Sequence, residues 1–165
     1  MPRINTHLHL ALKLSQRIRI DNLDSFFLGN AYPDCWHISM EQSLCNHYKS
    51  DPTSLCNLES FKREHGNNDF DLGYFFHLWI DNRILEVNTG NISKQDCMIC
   101  DMEIIAPLIQ RLKMGAFEGE ELLAMQNISL MEAAPIPTLA VSDEKKVQYQ
   151  NLLEMMADEF AKVLK

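Results

Sequence analysis

The sequence predicts an all-α protein, a single-domain multi-helix bundle. Apolar side chains recur at helical spacing through most of the chain, alternating strand patterns are scarce, and turn-forming clusters separate the periodic runs. At 165 residues such a chain buries about 70% of its unfolded surface on folding, enough for a core without staples.

The first helix is expected over Thr6 to Ile20, where Leu8, Leu10, Ala11, Leu12, Leu14 and Ile18 form a broad stripe. Asn5 or Thr6 can cap it, Asp21 closes it, and His7 falls in its first turn. In DNLDSFFLGNAYPDCWH, Gly29, Asn30 and Pro33 are read as breaking any regular element, which puts Asp34 on a loop or at a helix N-terminus. Ile38 to Tyr48 carries Met40, Leu44 and His47 at helical spacing and ends at KSDPTS, so His47 lies near a helix C-terminus. LESFKREHGNNDFD supplies a short helix and then a stop and restart at His65, Gly66, Asn67 and Asn68.

The next helix starts at Asp69 or Asp71 and runs through DLGYFFHLWIDNRI to about Val87. It is apolar nearly all round and belongs at the centre of the bundle. Further helices are expected across Lys94 to Lys113, with Pro107 inside, and across Gly119 to Met131. AAPIP is an extended linker. Ser142 to Lys165 is a long amphipathic terminal helix, capped by Ser142 and carrying Asp143 and Glu144 in its first turn.

The 23 acidic and 15 basic side chains give a net charge of -8, which disfavours non-specific attraction to nucleic acid or to an anionic membrane surface. The opening MPRINTHLHLALKL is interrupted by His7, His9 and Lys13, so neither a signal peptide nor a membrane span is expected. Five cysteines, an odd number, fit free thiols in a reducing compartment, with the cytoplasm as the expected location. Cys97 and Cys100 have C-x-x-C spacing, but no second pair exists, and packing thiols on a helix are expected. Cys35 and Cys45 are read as small buried side chains.

His77 and Asp81 stand four residues apart within the apolar segment and share one helix face. Each costs several kcal/mol to desolvate unpaired, so a metal ion, or each other, must compensate them. His7, Asp34 and His47 add imidazoles and a carboxylate from other segments. A set of Asp34, His47, His77 and Asp81, with His7 nearby, suits a borderline cation such as zinc, and this ligand mixture is more often catalytic than structural.

The order TH, then LGNAYPD, NHY and DLGYFFHLWID, resembles the zinc-dependent phospholipase C family, an all-helical fold shared with single-strand-specific zinc nucleases. The resemblance covers roughly the first half of the chain. It implies that Asp34, His47, His77 and Asp81 enclose one zinc and that His7 holds a neighbouring ion sharing Asp81, with His9 as the fallback. The family's three-metal cluster is not expected, because no histidine follows His77; Asp96, Asp101 or Glu103 would have to substitute.

The expected activity is zinc-dependent hydrolysis of a small phosphate ester, mono- or diester, through a metal-activated water that Asp34 or Asp81 orients or deprotonates. The competing expectations are a non-catalytic, metal-stabilised helical binding or scaffold protein, and a metal-free bundle with a His–Asp core pair. No nucleic acid or membrane partner is expected, and a homo-oligomer is left open. Gly29 and Gly73 allow close backbone approach or ordinary packing. Tyr32, Trp36 and Tyr48 line a pocket mouth or pack in the core. His37 and His65 are expected at the surface.

Overall fold

The computed structural model describes residues 4–35, 39–87, 91–132 and 140–164. Trp36, His37 and the AAPIP segment lie outside them. Among the described residues the secondary structure is helical: α1 (Ile4–Ser15), α2 (Leu23–Ala31), α3 (Met40–Asn46), α4 (Leu58–Glu64), α5 (Asp69–Ile84), α6 (Lys94–Lys113), α7 (Gly119–Glu132) and α8 (Asp143–Val163), with a short 3-10 turn at Tyr32–Asp34. The all-α class is therefore observed. No helix among these residues is long and apolar enough to cross a membrane.

Side-chain caps begin most of the helices. Asn22, Ser39, Asn57, Asn68 and Ser142 each accept a hydrogen bond from the backbone three residues on, satisfying one of the amides a helix start leaves unpaired. Ser93 and Asp96 form a reciprocal capping box at α6. Two expectations are corrected at α1. Asn5 and Thr6 lie inside the helix and are buried rather than capping it, and the helix ends at Ser15, where Arg17 folds back to the Lys13 carbonyl.

The expectation of an irregular segment around Gly29 is also overturned, because α2 runs straight through Gly29 and Asn30. The reason is tertiary. A Cβ added at Gly29 would lie 2.0 Å from the Phe70 carbonyl oxygen, and one added at Gly73 would lie 2.0 Å from that of Phe26. The two glycines let α2 and α5 touch backbone to backbone at the centre of the bundle. Asn30 adds a 3.3 Å hydrogen bond from its side chain to the Gly73 carbonyl. Asp34 ends the 3-10 turn Tyr32–Asp34, with Pro33 at its second position, so of its two expected placements the connecting segment is observed and the helix N-terminus is not.

Around this pair, α1 packs on α2, α6 and α8, while α7 covers α2 and the 3-10 turn. Phe26, Phe27, Phe76, Phe160 and the leucines of α1 fill the space between. Replacing a mid-helix glycine by alanine ordinarily stabilises by about 1 kcal/mol. Here Gly73→Ala is expected to lose about 3 kcal/mol, since backbone must move. A urea midpoint at or above wild type would refute the close contact.

Candidate metal centre

Gly73, His77 and Asp81 recur every four residues, so the face of α5 that touches α2 also carries the two polar side chains. His77 is fully buried, and its Nδ1–H donates to the Asn30 carbonyl at 2.8 Å. From the end of α3, His47 donates its Nδ1–H to the Ser43 carbonyl, also at 2.8 Å. Each ring is thereby fixed in the tautomer that presents Nε2 inward, the arrangement in which histidines bind metals.

The two Nε2 atoms meet 3.3 Å apart. Two neutral imidazoles so oriented oppose lone pair to lone pair, so the contact requires a cation between them, either a proton or a metal ion. Asp34 Oδ1 lies 3.4 Å from His47 Nε2 and 3.9 Å from His77 Nε2. Metal bonds of about 2.0–2.1 Å in tetrahedral geometry place donors about 3.3–3.4 Å apart; His47 stands at that distance from both His77 and Asp34, while His77 and Asp34, at 3.9 Å, are wider.

A second group adjoins the first. His7 stacks on His77 with ring centroids 3.7 Å apart, and its Nε2 lies 3.4 Å from Asp81 Oδ1. Among the described residues, neither nitrogen of His7 and neither oxygen of Asp81 has a partner at hydrogen-bond geometry, although both side chains are shut away from water. Such groups are costly unless a charge compensates them. The other Asp81 oxygen lies 3.8 Å from His47 Nε2 and 3.6 Å from Lys49 Nζ.

The structure thus brings together His7, Asp34, His47, His77 and Asp81. The donors fall into two triads, His7–His77–Asp81 and Asp34–His47–His77. His77 belongs to both but has only Nε2 to offer, so one ion at a time can take it. Asp81 has one oxygen on each side.

Protonation follows the same geometry. Burial, then the neighbouring His7, lowers the His77 pKa to about 3, which keeps its lone pair available. Burial also disfavours charge on His47, but Asp34, the Ser43 carbonyl and Asp81 outweigh it and raise His47 above its ordinary value. Without a metal, the proton between the rings therefore belongs to His47. Burial opposes ionisation of Asp34 and Asp81, yet the surrounding imidazoles hold both below the usual carboxylate range.

The turn after α3 delivers His47 and exposes residues that sequence reasoning missed. Tyr48 adopts a left-handed φ of 53°, and the amides of Tyr48 and Lys49 close back on the Cys45 and Leu44 carbonyls. This is the usual C-terminal motif with tyrosine where glycine is preferred, at a cost of roughly 1–2 kcal/mol. The Tyr48 ring is tethered in compensation: its hydroxyl donates to Glu64 and lies 2.9 Å from His65 Nε2, and it packs on Phe61 and Tyr74. The missed contributors are the carbonyls of Asn30 and Ser43 and the Lys49 side chain.

Other residues sit elsewhere. His9 bonds Asp101 at 2.9 Å, away from both triads. Asp101 also accepts from Asn5, Thr6 and Tyr149, Asp96 takes Lys145, and Glu103 takes Lys146, so none of the three is a ligand. His65 is half-buried, its side chain 23% accessible, where it stacks on Phe61 and bonds Asp71. Tyr32 packs on Phe70 and Tyr74. All five cysteines are free, and Cys45 is exposed rather than buried. Burial, with Asp34 nearby, pushes the Cys35 thiol up to about 12, so it stays protonated beside the metal-free centre.

Fold and site together define an all-helical protein with a buried cluster of histidines and aspartates whose donor atoms are grouped as a metal ion would need them. No family model, curated protein or solved structure matches the chain.

Proposed function

We propose that this centre holds a divalent ion, zinc by its donor chemistry, and hydrolyses phosphate esters. The observation that carries the metal is the pair of inward Nε2 atoms 3.3 Å apart, each with its other nitrogen committed to a carbonyl. The oxygens of Asp81 and nitrogens of His7, without hydrogen bonds among the described residues, support it. Asp34, His47 and His77 would hold the ion, with Asp81 beside them. His7 with Asp81 offers a second, weaker position.

A bound zinc ion supplies Lewis acidity for a phosphoryl oxygen and lowers the pKa of nearby water towards neutrality. The side chains supply the rest. Asp34 is the most exposed member of the set, its side chain 20% accessible, so it faces the side from which substrate and water arrive and is placed to orient water or hold its proton. His77 and Asp81, fixed on one face of α5, exclude solvent behind it.

Burial favours a second reading. His7, His77 and Asp81 have side chains closed to solvent, as in a centre that ties α1 to α5 without catalysis. Two measurements separate the alternatives. Element analysis of untagged protein is expected to find near-stoichiometric zinc, and absence of metal even after reconstitution would end both metal readings. Chromogenic phosphomonoesters and phosphodiesters are then expected to turn over with wild type, while His77→Ala loses at least a hundredfold in rate. Turnover no faster than buffer across the panel would leave the scaffold role standing.

A further inference from the structure

On a continuous helix, residues two apart point about 200° away from each other, so His47 and Lys49 could not serve one site. The left-handed Tyr48 changes that. Both side chains now approach the same Asp81 oxygen, at 3.8 Å and 3.6 Å. The Lys49 side chain is only 6% exposed, an unusual place for an ammonium group. Its Asp81 contact, at 3.6 Å, exceeds the roughly 2.7–2.9 Å of a charge-assisted hydrogen bond, and no hydrogen bond from its three donors occurs among the described residues.

Charge counting identifies what those donors lack. Asp34 and Asp81 together match one divalent ion, and His47 binds that ion as a neutral ligand. With such an ion bound, Lys49 would be an unbalanced positive charge beside the Asp81 carboxylate. A compact anion with several acceptor oxygens would satisfy both the charge and the donors, and a phosphoryl dianion meets that description better than a phosphodiester with its single charge.

We propose that Lys49 is the anion-binding residue of the centre and that its ligand is the phosphoryl group of a phosphomonoester, or free phosphate as product. The assignment rests on the metal reading above and narrows its substrate class. Lys49 would hold a non-bridging oxygen of the phosphoryl group, keeping the ester bond directed towards the Asp34 side.

Inorganic phosphate is the probe. Its affinity is measured by calorimetry for zinc-loaded wild type, Lys49→Met and Lys49→Arg, with zinc content determined on each sample. The expected result is that Lys49→Met keeps its zinc but binds phosphate about tenfold or more weakly, while Lys49→Arg stays within a few fold of wild type. Undiminished phosphate affinity in Lys49→Met overturns the assignment. So does loss of zinc from Lys49→Met, which would make the lysine a support for the ion.

If wild type takes up no zinc, the metal reading fails separately, and the comparison is repeated on metal-free protein. Phosphate binding that disappears with Lys49→Met then upholds the lysine's role, and absence of binding by wild type overturns it. Should Lys49→Met not fold, Lys49→Gln is read by the same criteria.

Discussion

Acidifying the metal-free protein is expected to destabilise it by about 1.4 kcal/mol per pH unit below pH 6.5, the ordinary histidine pKa. The source is His77, whose pKa is lowered to about 3 by burial and by His7. Between those values the unfolded chain binds a proton that the folded chain refuses, so each step downward favours unfolding. His47 works in the opposite sense and in another window. Its raised pKa contributes stability that is fully present below the unfolded value and is lost as the pH rises through the folded one. It therefore adds no slope below 6.5. Asp34 and Asp81, held low, steepen the loss once the pH falls below the ordinary carboxylate range. Urea unfolding across pH 6.5 to 4 measures the slope, and His77→Gln should flatten its upper part. An equally steep slope in that variant would place the responsible proton elsewhere.

Asp101→Ala is expected to cost about 4 kcal/mol, a large share of the roughly 5–15 kcal/mol that holds a domain together. The carboxylate is fully buried and accepts from Asn5 at 3.3 Å, Thr6 at 2.7 Å and Tyr149 at 2.8 Å, with His9 Nδ1 at 2.9 Å. Removing it leaves those groups without an acceptor inside the core, where each unsatisfied one costs about 1–3 kcal/mol less whatever the site relaxes to recover. Asp101→Asn keeps part of the set and should lose about half as much. Because Asn5, Thr6 and His9 flank His7, the loss should extend to the candidate metal centre, and zinc, which we propose it holds, should be held more weakly even where the variant remains folded. Denaturant midpoints and competition with a zinc chelator give the two readouts. An Asp101→Ala protein as stable as wild type would show that water replaces the carboxylate.

The parts of this protein that were legible in the sequence are those governed by local spacing. His77 and Asp81 share a face because they are four apart, and the long apolar run around them marks α5 as central. Ser142 begins α8 because its short side chain carries an oxygen that reaches the amide three residues on. Long-range contact decided what the sequence hid. Gly29 reads as a breaker when α2 is considered by itself, and becomes a requirement only once α5 lies against it. The Asp101 network joins residues more than ninety positions apart, and no periodicity foretells it. Lys49 was concealed by Tyr48, since a tyrosine gives no warning that the chain will reverse there, and the helical phase carried past that point assigns the lysine to the wrong side.

The contact between Gly29 and Gly73 also bears on how this protein can change over time. The separation between the Asn30 carbonyl and the His77 ring is set by two main chains in direct contact, with no intervening side chain to shrink or swell. Leucines and phenylalanines around the bundle can drift in size, and the fold can grow tighter or looser, while the spacing between Asn30 and His77 holds. The tolerance of the centre to evolutionary turnover in its own core resides in two residues that have no side chain to vary.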